Sequence, residues 1–336
     1  MRIIKKIITR MNITILLLLF QIALILVIIN RMMVFVPTFT ISMYIISLLV
    51  VLMLVKKDKA AAYKVAWIII IMGLPFIGGV LYLLFGDKRP VKRIAVHMNE
   101  HALIAKVLDA DSNLPDISKL CDTRRADSFE YVRRASSYHV YENTRVEYYP
   151  MGELMFEDML AELSRARKFI FMEYFIVKKS EMWDRICEVL VRKAAEGVDV
   201  RLIVDDLGSL KLFSTGYVTW LQQQKIRVIR FNPIVPFLSL FMNNRDHRKI
   251  LVIDGHTAFN GGINISDEYI NLTAPFGIWK DTGLRLKGDA VWSFTLMFIE
   301  IWDTFCKKEE RIDDYELYRH MPEPGHETDG LVLPYG

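Results

Sequence analysis

Asn243-Asn-Arg-Asp-His-Arg-Lys-Ile-Leu-Val-Ile-Asp-Gly-His-Thr-Ala-Phe-Asn-Gly-Gly-Ile-Asn264 is the stretch on which the reading of this chain turns. Two apolar runs flank Asp254-Gly255, a pair of residues that accepts the left-handed backbone of a two-residue hairpin turn. A turn there pairs Ile253 with His256, Leu251 with Ala258, Lys249 with Asn260 and His247 with Gly262. Side chains alternate along a strand. His247, Lys249, Asn260, Gly262 and Asn264 are therefore expected on one face at the open end, and Ile250, Val252, Phe259 and Ile263 on the other.

An imidazole, an ammonium and a carboxamide converging beside a residue without a side chain suit a phosphate group. The reference imidazole pKa of about 6.5 leaves His247 largely unprotonated near neutrality and able to attack phosphorus. Lys249 and Asn264 are expected to hold the non-bridging oxygens as charge builds on them, with Gly262 leaving the room. Such chemistry requires no divalent metal and no cofactor, and the chain shows no compact carboxylate cluster. The competing reading is a structural hairpin with polar residues at its solvated end, which needs His, Lys and Asn to coincide by chance. The other six histidines, His97, His101, His139, His256, His320 and His326, lack a lysine two residues on and read as surface or packing residues. Asp254 belongs to the same constellation, but its place in the turn assigns it to fixing the hairpin.

Outward from this stretch, helices alternate with short apolar strands. Helices are expected at 153–166, 181–196 and 212–224, and strands at 169–176, 199–204 and 226–231. Strands at 249–253, 256–263 and 282–286 and an apolar helix at 290–305 follow. The alternation predicts an α/β domain with a mixed, largely parallel sheet and helices on both faces. Glu173 is a carboxylate inside an apolar strand, where leaving it unpaired costs several kcal/mol, so it needs a partner at the strand end or in the site. Asp205-Asp206 ends a strand where open α/β sheets put ligand-facing loops, and a solvated turn is the alternative. Asp281 is a candidate to orient the His247 imidazole as a triad carboxylate does.

Apolar residues make up 52% of the 336 and crowd into 13–29, 33–55 and 66–85, none of which contains a charge. Each is near the ~20 residues a membrane-spanning helix needs. A cleaved signal peptide is disfavoured for the first, because its apolar run is long and no small-residue cleavage site follows. Basic clusters flank the stretches: Arg2, Lys5, Lys6 and Arg10, then Lys56, Lys57, Lys59 and Lys64, then Lys88, Arg89, Lys92 and Arg93, with Arg31 alone between the first two spans. Three full spans would put the globular part outside; if one segment is re-entrant or interfacial, that part is cytoplasmic. A net charge of +4 is too modest to argue for nucleic acid, and basic flanks suit anionic lipid headgroups. Cys121, Cys187 and Cys306 show neither metal spacing nor a disulfide framework. The expected layout is a membrane region at 1–86 with two to three transmembrane helices, a charged connector at 87–139 containing a short amphipathic stretch at 102–108, a catalytic α/β domain at 140–317, and a turn-rich tail at 318–336.

His247-Arg-Lys249-Ile-Leu-Val-Ile-Asp254 with Gly261-Gly-Ile-Asn264 resembles the HxKxxxxD motif and downstream GxxN-type element of the phospholipase D superfamily. Phe171-Met-Glu-Tyr-Phe175, Asp199-Val-Arg-Leu-Ile-Val-Asp-Asp-Leu-Gly-Ser209, Asn264-Ile-Ser-Asp-Glu-Tyr269, Trp279-Lys-Asp-Thr282 and the region from Ala66-Trp to Gly86 are similar to bacterial cardiolipin synthases. The resemblance implies a multi-pass cell-membrane protein with a phospholipase D-like domain. It also implies transfer of a phosphatidyl group between two phosphatidylglycerol molecules, through a phosphatidyl-histidine, giving cardiolipin and glycerol. His247 would be nucleophile or acid/base partner, with Lys249 and Asn264 on the phosphate and Glu173, Gly262, Glu268 and Asp281 supporting. The family carries two such motifs in two halves, and this chain has one, which implies that 318–336 is the start of a missing second half in a longer chain, or else a homodimer partner, or an inactive protein. A hydrolytic phosphodiesterase and a non-catalytic membrane accessory protein are the alternative functions.

Overall fold

In a computed structural model, which describes residues 10–32, 36–57, 61–86, 117, 122–136, 138–233, 245–275, 277–307, 310–312, 314–319 and 331–334, the first two apolar stretches each form one uninterrupted helix. These are α1 (Arg10–Met32) and α2 (Val36–Lys56). Among the described residues, one helical window, Phe39–Lys56, is long and apolar enough to cross a membrane. The amphipathic stretch at 102–108 lies outside the described residues.

The third apolar stretch departs from the expected single span. It forms two short helices, α3 (Ala61–Gly73) and α4 (Pro75–Phe85). Pro75 occupies the first turn of α4, and a proline disfavours helical backbone in the residue before it. Leu74 accordingly has φ −132° and ψ 74°, and the helix breaks there. The two arms fold against each other: a Cβ on Gly78 would lie 2.3 Å from the Ile70 carbonyl oxygen. The Trp67 and Tyr82 rings meet edge to face, with centroids 5.4 Å apart.

These helices form one compact unit; the other is the α/β unit. It opens with α5 (Thr123–Ser136), which falls inside the segment read as a connector. Then follow β1 (Thr144–Tyr149), α6 (Gly152–Arg165), β2 (Phe169–Tyr174), α7 (Glu181–Ala195), β3 (Asp199–Asp205), α8 (Thr215–Gln223) and β4 (Arg227–Phe231). The hairpin β5 (Lys249–Ile253) and β6 (Thr257–Gly261), then β7 (Gly283–Gly288) and α9 (Val291–Phe305), complete it. Ser180 and Ser214 cap α7 and α8 by accepting the Trp183 and Tyr217 amides.

One seven-stranded sheet runs in the order β1-β7-β6-β5-β2-β3-β4. It is mixed, with helices on both faces, but the parallel part is confined to β2, β3 and β4. Helical crossovers enforce that direction through α7 and α8. The hairpin, its neighbour β7, the edge strand β1 and the β2–β5 pairing are all antiparallel, so "largely parallel" holds only for the half from which the helix–strand alternation was read. One face buries Met155, Phe156, Trp183 and Leu190 of α6 and α7 against Leu202, Leu251 and Phe259. The other packs Phe294, Phe298 and Trp302 of α9 on Phe171, Ile250 and Val252.

The hairpin loop has three residues, not two. Ile253 pairs with Thr257 and Ile250 with Asn260, one place off the expected register. Asp254 and Gly255 are both left-handed, at φ 53° and 74°, and His256 completes the loop. The Asp254 carboxylate then accepts the amides of Arg167, Lys168 and Phe169 at 2.7 to 2.9 Å, tying the turn to the start of β2. Because side chains alternate, the slip moves partners across the sheet. Phe259 and Ile263 join Leu251 on the Lys249 face, and Asn260 leaves that face and donates to the Lys249 carbonyl at 3.2 Å. Asp254→Ala removes an ionised acceptor from three amides and is expected to cost about 3 kcal/mol of stability, with a fall in thermal midpoint, read by denaturation of the purified chain.

Candidate active site

Strand alternation divides the segment entering β5 between the two faces of the sheet. Asp246 and Arg248 turn toward α9, where Arg248 donates to the Met297 carbonyl. His247 and Lys249 turn the other way. Lys249 lies opposite Tyr174, so both side chains arrive beside Phe175, the residue that follows β2. The His247 and Phe175 rings are 4.9 Å apart at 52°, and the Lys249 ammonium stands 5.5 Å from the same Phe175 centroid. That ammonium donates to the His247 carbonyl at 2.6 Å. His247 is exposed while Lys249 is only 5% so. Burial holds the Lys249 ammonium below the usual lysine pKa, and the Asp246 and Asp281 carboxylates partly oppose the shift. The site therefore presents an accessible imidazole next to a partly desolvated cation, whose attraction for an anion exceeds that of an ammonium in water.

Gly262 sits under Asp281: a Cβ there would come within 2.0 Å of Asp281 Oδ1. Asn264 is buried, and its Oδ1 is already taken by the Ile176 amide at 3.0 Å, so it braces the loop that carries Phe175. Glu268 pairs with the Lys178 ammonium and accepts from Ser266. Burial pushes the Glu268 carboxyl up, and those two partners more than offset it, leaving it below the usual carboxylate range. Asp254 lies at the far end of β5 from Lys249 and serves the turn.

Residues 159–278 match the family model described as "Cardiolipin synthase, PLD-like domain", and residues 42–86 match that described as "Phospholipase_D-nuclease N-terminal". The α/β unit is a phospholipase D-like domain. An uncharacterized protein of Streptococcus mutans is 38% identical over 85% of this chain and 61% of its own length. The cardiolipin synthase of Geobacillus kaustophilus is 32% identical over 79% and 53%, and that of Geobacillus thermodenitrificans 34% identical over 73% and 49%. The chain thus spans about half the length of the curated relatives that carry that name.

In this phospholipase D-like domain, Glu173 lies on the opposite face from Lys249, in a buried brace. Its Oε1 accepts from Arg248 Nε at 2.6 Å. Burial pushes the Glu173 carboxyl well above its usual range; Arg248 opposes the shift and Asp246 adds to it. Glu173 Oε2 and Asp246 Oδ2 are both buried without a donor among the described residues, and one proton shared between the two carboxyls satisfies both. Asp205 extends the brace. Fully buried, it accepts the Leu207, Gly208 and Asp246 amides and faces Arg245 at 3.4 Å. Asp206 is buried 3.6 Å from Arg230, so the strand end is neither a ligand-facing loop nor a solvated turn. Sequence reasoning missed Phe175 and Arg248. An Asp-x-Arg pair interleaved with His-x-Lys was a signal for Arg248, since Glu173 required a buried partner.

The shared proton sets a pH dependence. A carboxyl whose folded pKa is raised stabilises fully below its unfolded value and loses that contribution as pH rises through the folded value. Glu173→Gln keeps both hydrogen bonds without titrating. Its thermal midpoint is expected to gain on the parent's steadily as the pH rises above the ordinary carboxylate range. A gap independent of pH would contradict the shared proton.

Proposed function

We propose that this chain takes part in phosphatidyl transfer between two phosphatidylglycerol molecules, with His247 as the nucleophile. The reading is supported chiefly by the imidazole packed against Phe175 next to the buried Lys249 ammonium, and by the similarity to cardiolipin synthases. The imidazole nitrogen attacks phosphorus, the phosphorus–oxygen bond to the headgroup glycerol breaks, and the departing glycerol oxygen takes a proton from a general acid. The free hydroxyl of a second phosphatidylglycerol then attacks the phosphatidyl-histidine. Its proton returns to the same group, the phosphorus–nitrogen bond breaks, and cardiolipin leaves. Lys249 neutralises the non-bridging oxygens, whose charge grows in each transition state. Asp281, which accepts the Thr282 amide and makes no hydrogen bond to His247, adds negative charge near the Lys249 ammonium, and Asn264 acts through the Phe175 loop.

The 336 residues hold one His-x-Lys pair. We assign the general acid to a second such pair, in a longer chain or in a second copy of this one. Phospholipids are then the substrates and the cell membrane the site of action.

Membranes carrying the full chain, given phosphatidylglycerol labelled in its headgroup and acyl chains, are expected to release glycerol and form cardiolipin. His247→Ala should lower that rate at least a thousandfold, as loss of a nucleophile does in order of magnitude (about 10³ or more). Phosphatidic acid as the sole lipid product would identify a hydrolase, and an unchanged rate in the variant would remove His247 from the chemistry.

A further inference from the structure

We propose that the third apolar segment is a re-entrant helical hairpin that enters and leaves the membrane on the same side, leaving the phospholipase D-like domain on the side of the N-terminus. Neither arm can cross. α3 has 13 residues and α4 has 11, about 20 and 16 Å of helix against a hydrocarbon core of about 30 Å. Nor do they stack end to end, because the Tyr63 hydroxyl donates to the Gly86 carbonyl, joining the start of α3 to the end of α4.

The neighbouring helix α2 marks the depth. At the mouth of the hairpin, Lys64 donates to the Val55 carbonyl and the Lys57 ammonium lies 5.3 Å from the Tyr82 ring, both at the basic end of α2. At its tip, Ser47 donates to the Pro75 carbonyl at 2.6 Å. Ser47 is nine residues up α2 from Lys56, or about 14 Å, which is half the core thickness. The hairpin thus reaches mid-bilayer and returns. Its inner side buries Ile71 and Tyr82 against Leu54, while Ile69, Leu74, Phe76 and Leu83 are exposed, which suits the acyl chains of one leaflet. The broken backbone at Leu74 is tolerated at that depth because Pro75 has no amide to satisfy and its carbonyl has a partner in Ser47.

Charge agrees independently. With α1 and α2 crossing and the hairpin returning, all three basic clusters fall on one face and Arg31 alone on the other. That asymmetry places the N-terminus and the domain in the cytoplasm.

The test is labelling of the full chain in sealed vesicles of known orientation with a membrane-impermeant maleimide. Cys121, Cys187 and Cys306 are replaced, and Arg31→Cys, Lys59→Cys and Lys88→Cys are introduced singly. Lys59→Cys and Lys88→Cys are expected to react from the same face and Arg31→Cys from the opposite one. Reaction of Lys88→Cys from the face opposite Lys59→Cys would overturn the proposal. Protease sites inserted after Lys59 or Lys88 give the same reading with the native cysteines intact, and cleavage of the two from opposite faces would likewise overturn it. The outcome is independent of the lipid that the domain transfers.

Discussion

The register of β5 against β2 is the constraint on which the site depends. Every residue of β5 is buried, so hydrophobic contact alone holds the strand in place on both faces without choosing its register. Ionised and shared carboxyls make that choice. Asp254 clamps the turn end to three successive amides at the start of β2, and Glu173, reaching Arg248 and Asp246 from inside β2, clamps the other. Slipping the strand by one residue would break both clamps and leave buried charges without partners, which is far costlier than any loss of apolar contact.

With the register fixed, alternation does the rest. Asp246 and Arg248 are used up in the brace against α9, and His247 and Lys249 are presented together on Phe175. The brace extends through Asp205 to the end of β3, so the parallel strands β2 and β3 hold the segment entering β5 from below. A cation and an imidazole held by such a scaffold reorganise little on binding an anion, and preorganisation of this kind is where electrostatic catalysis gains most.

Much of this was legible in the sequence. The alternation of helix and strand from 153 to 231, the central hairpin and the pairing of His247 with Lys249 follow from periodicity and turn chemistry. What failed did so for local reasons. A three-residue loop is not distinguishable from a two-residue one by an Asp-Gly pair, and that single residue carried Asn260 across the sheet. Strand β1 has an interrupted pattern because it is an edge strand with charges facing out. The break at Leu74 was signalled by Pro75, but hydropathy averaged over it. Phe175 carried no signal, because an aromatic at a strand end is ordinary until the chain that crosses it is known.

In the proposed transfer, His247 is the nucleophile that attacks phosphorus. The most direct measurement is to incubate the full chain with acyl-labelled phosphatidylglycerol, quench in neutral detergent, since a phosphorus–nitrogen bond hydrolyses in acid, and locate the label by peptide mass. The account predicts a phosphatidyl group on the peptide containing His247, absent in His247→Ala. Lipid bound elsewhere on the chain, or cardiolipin formed without any adduct, would contradict it.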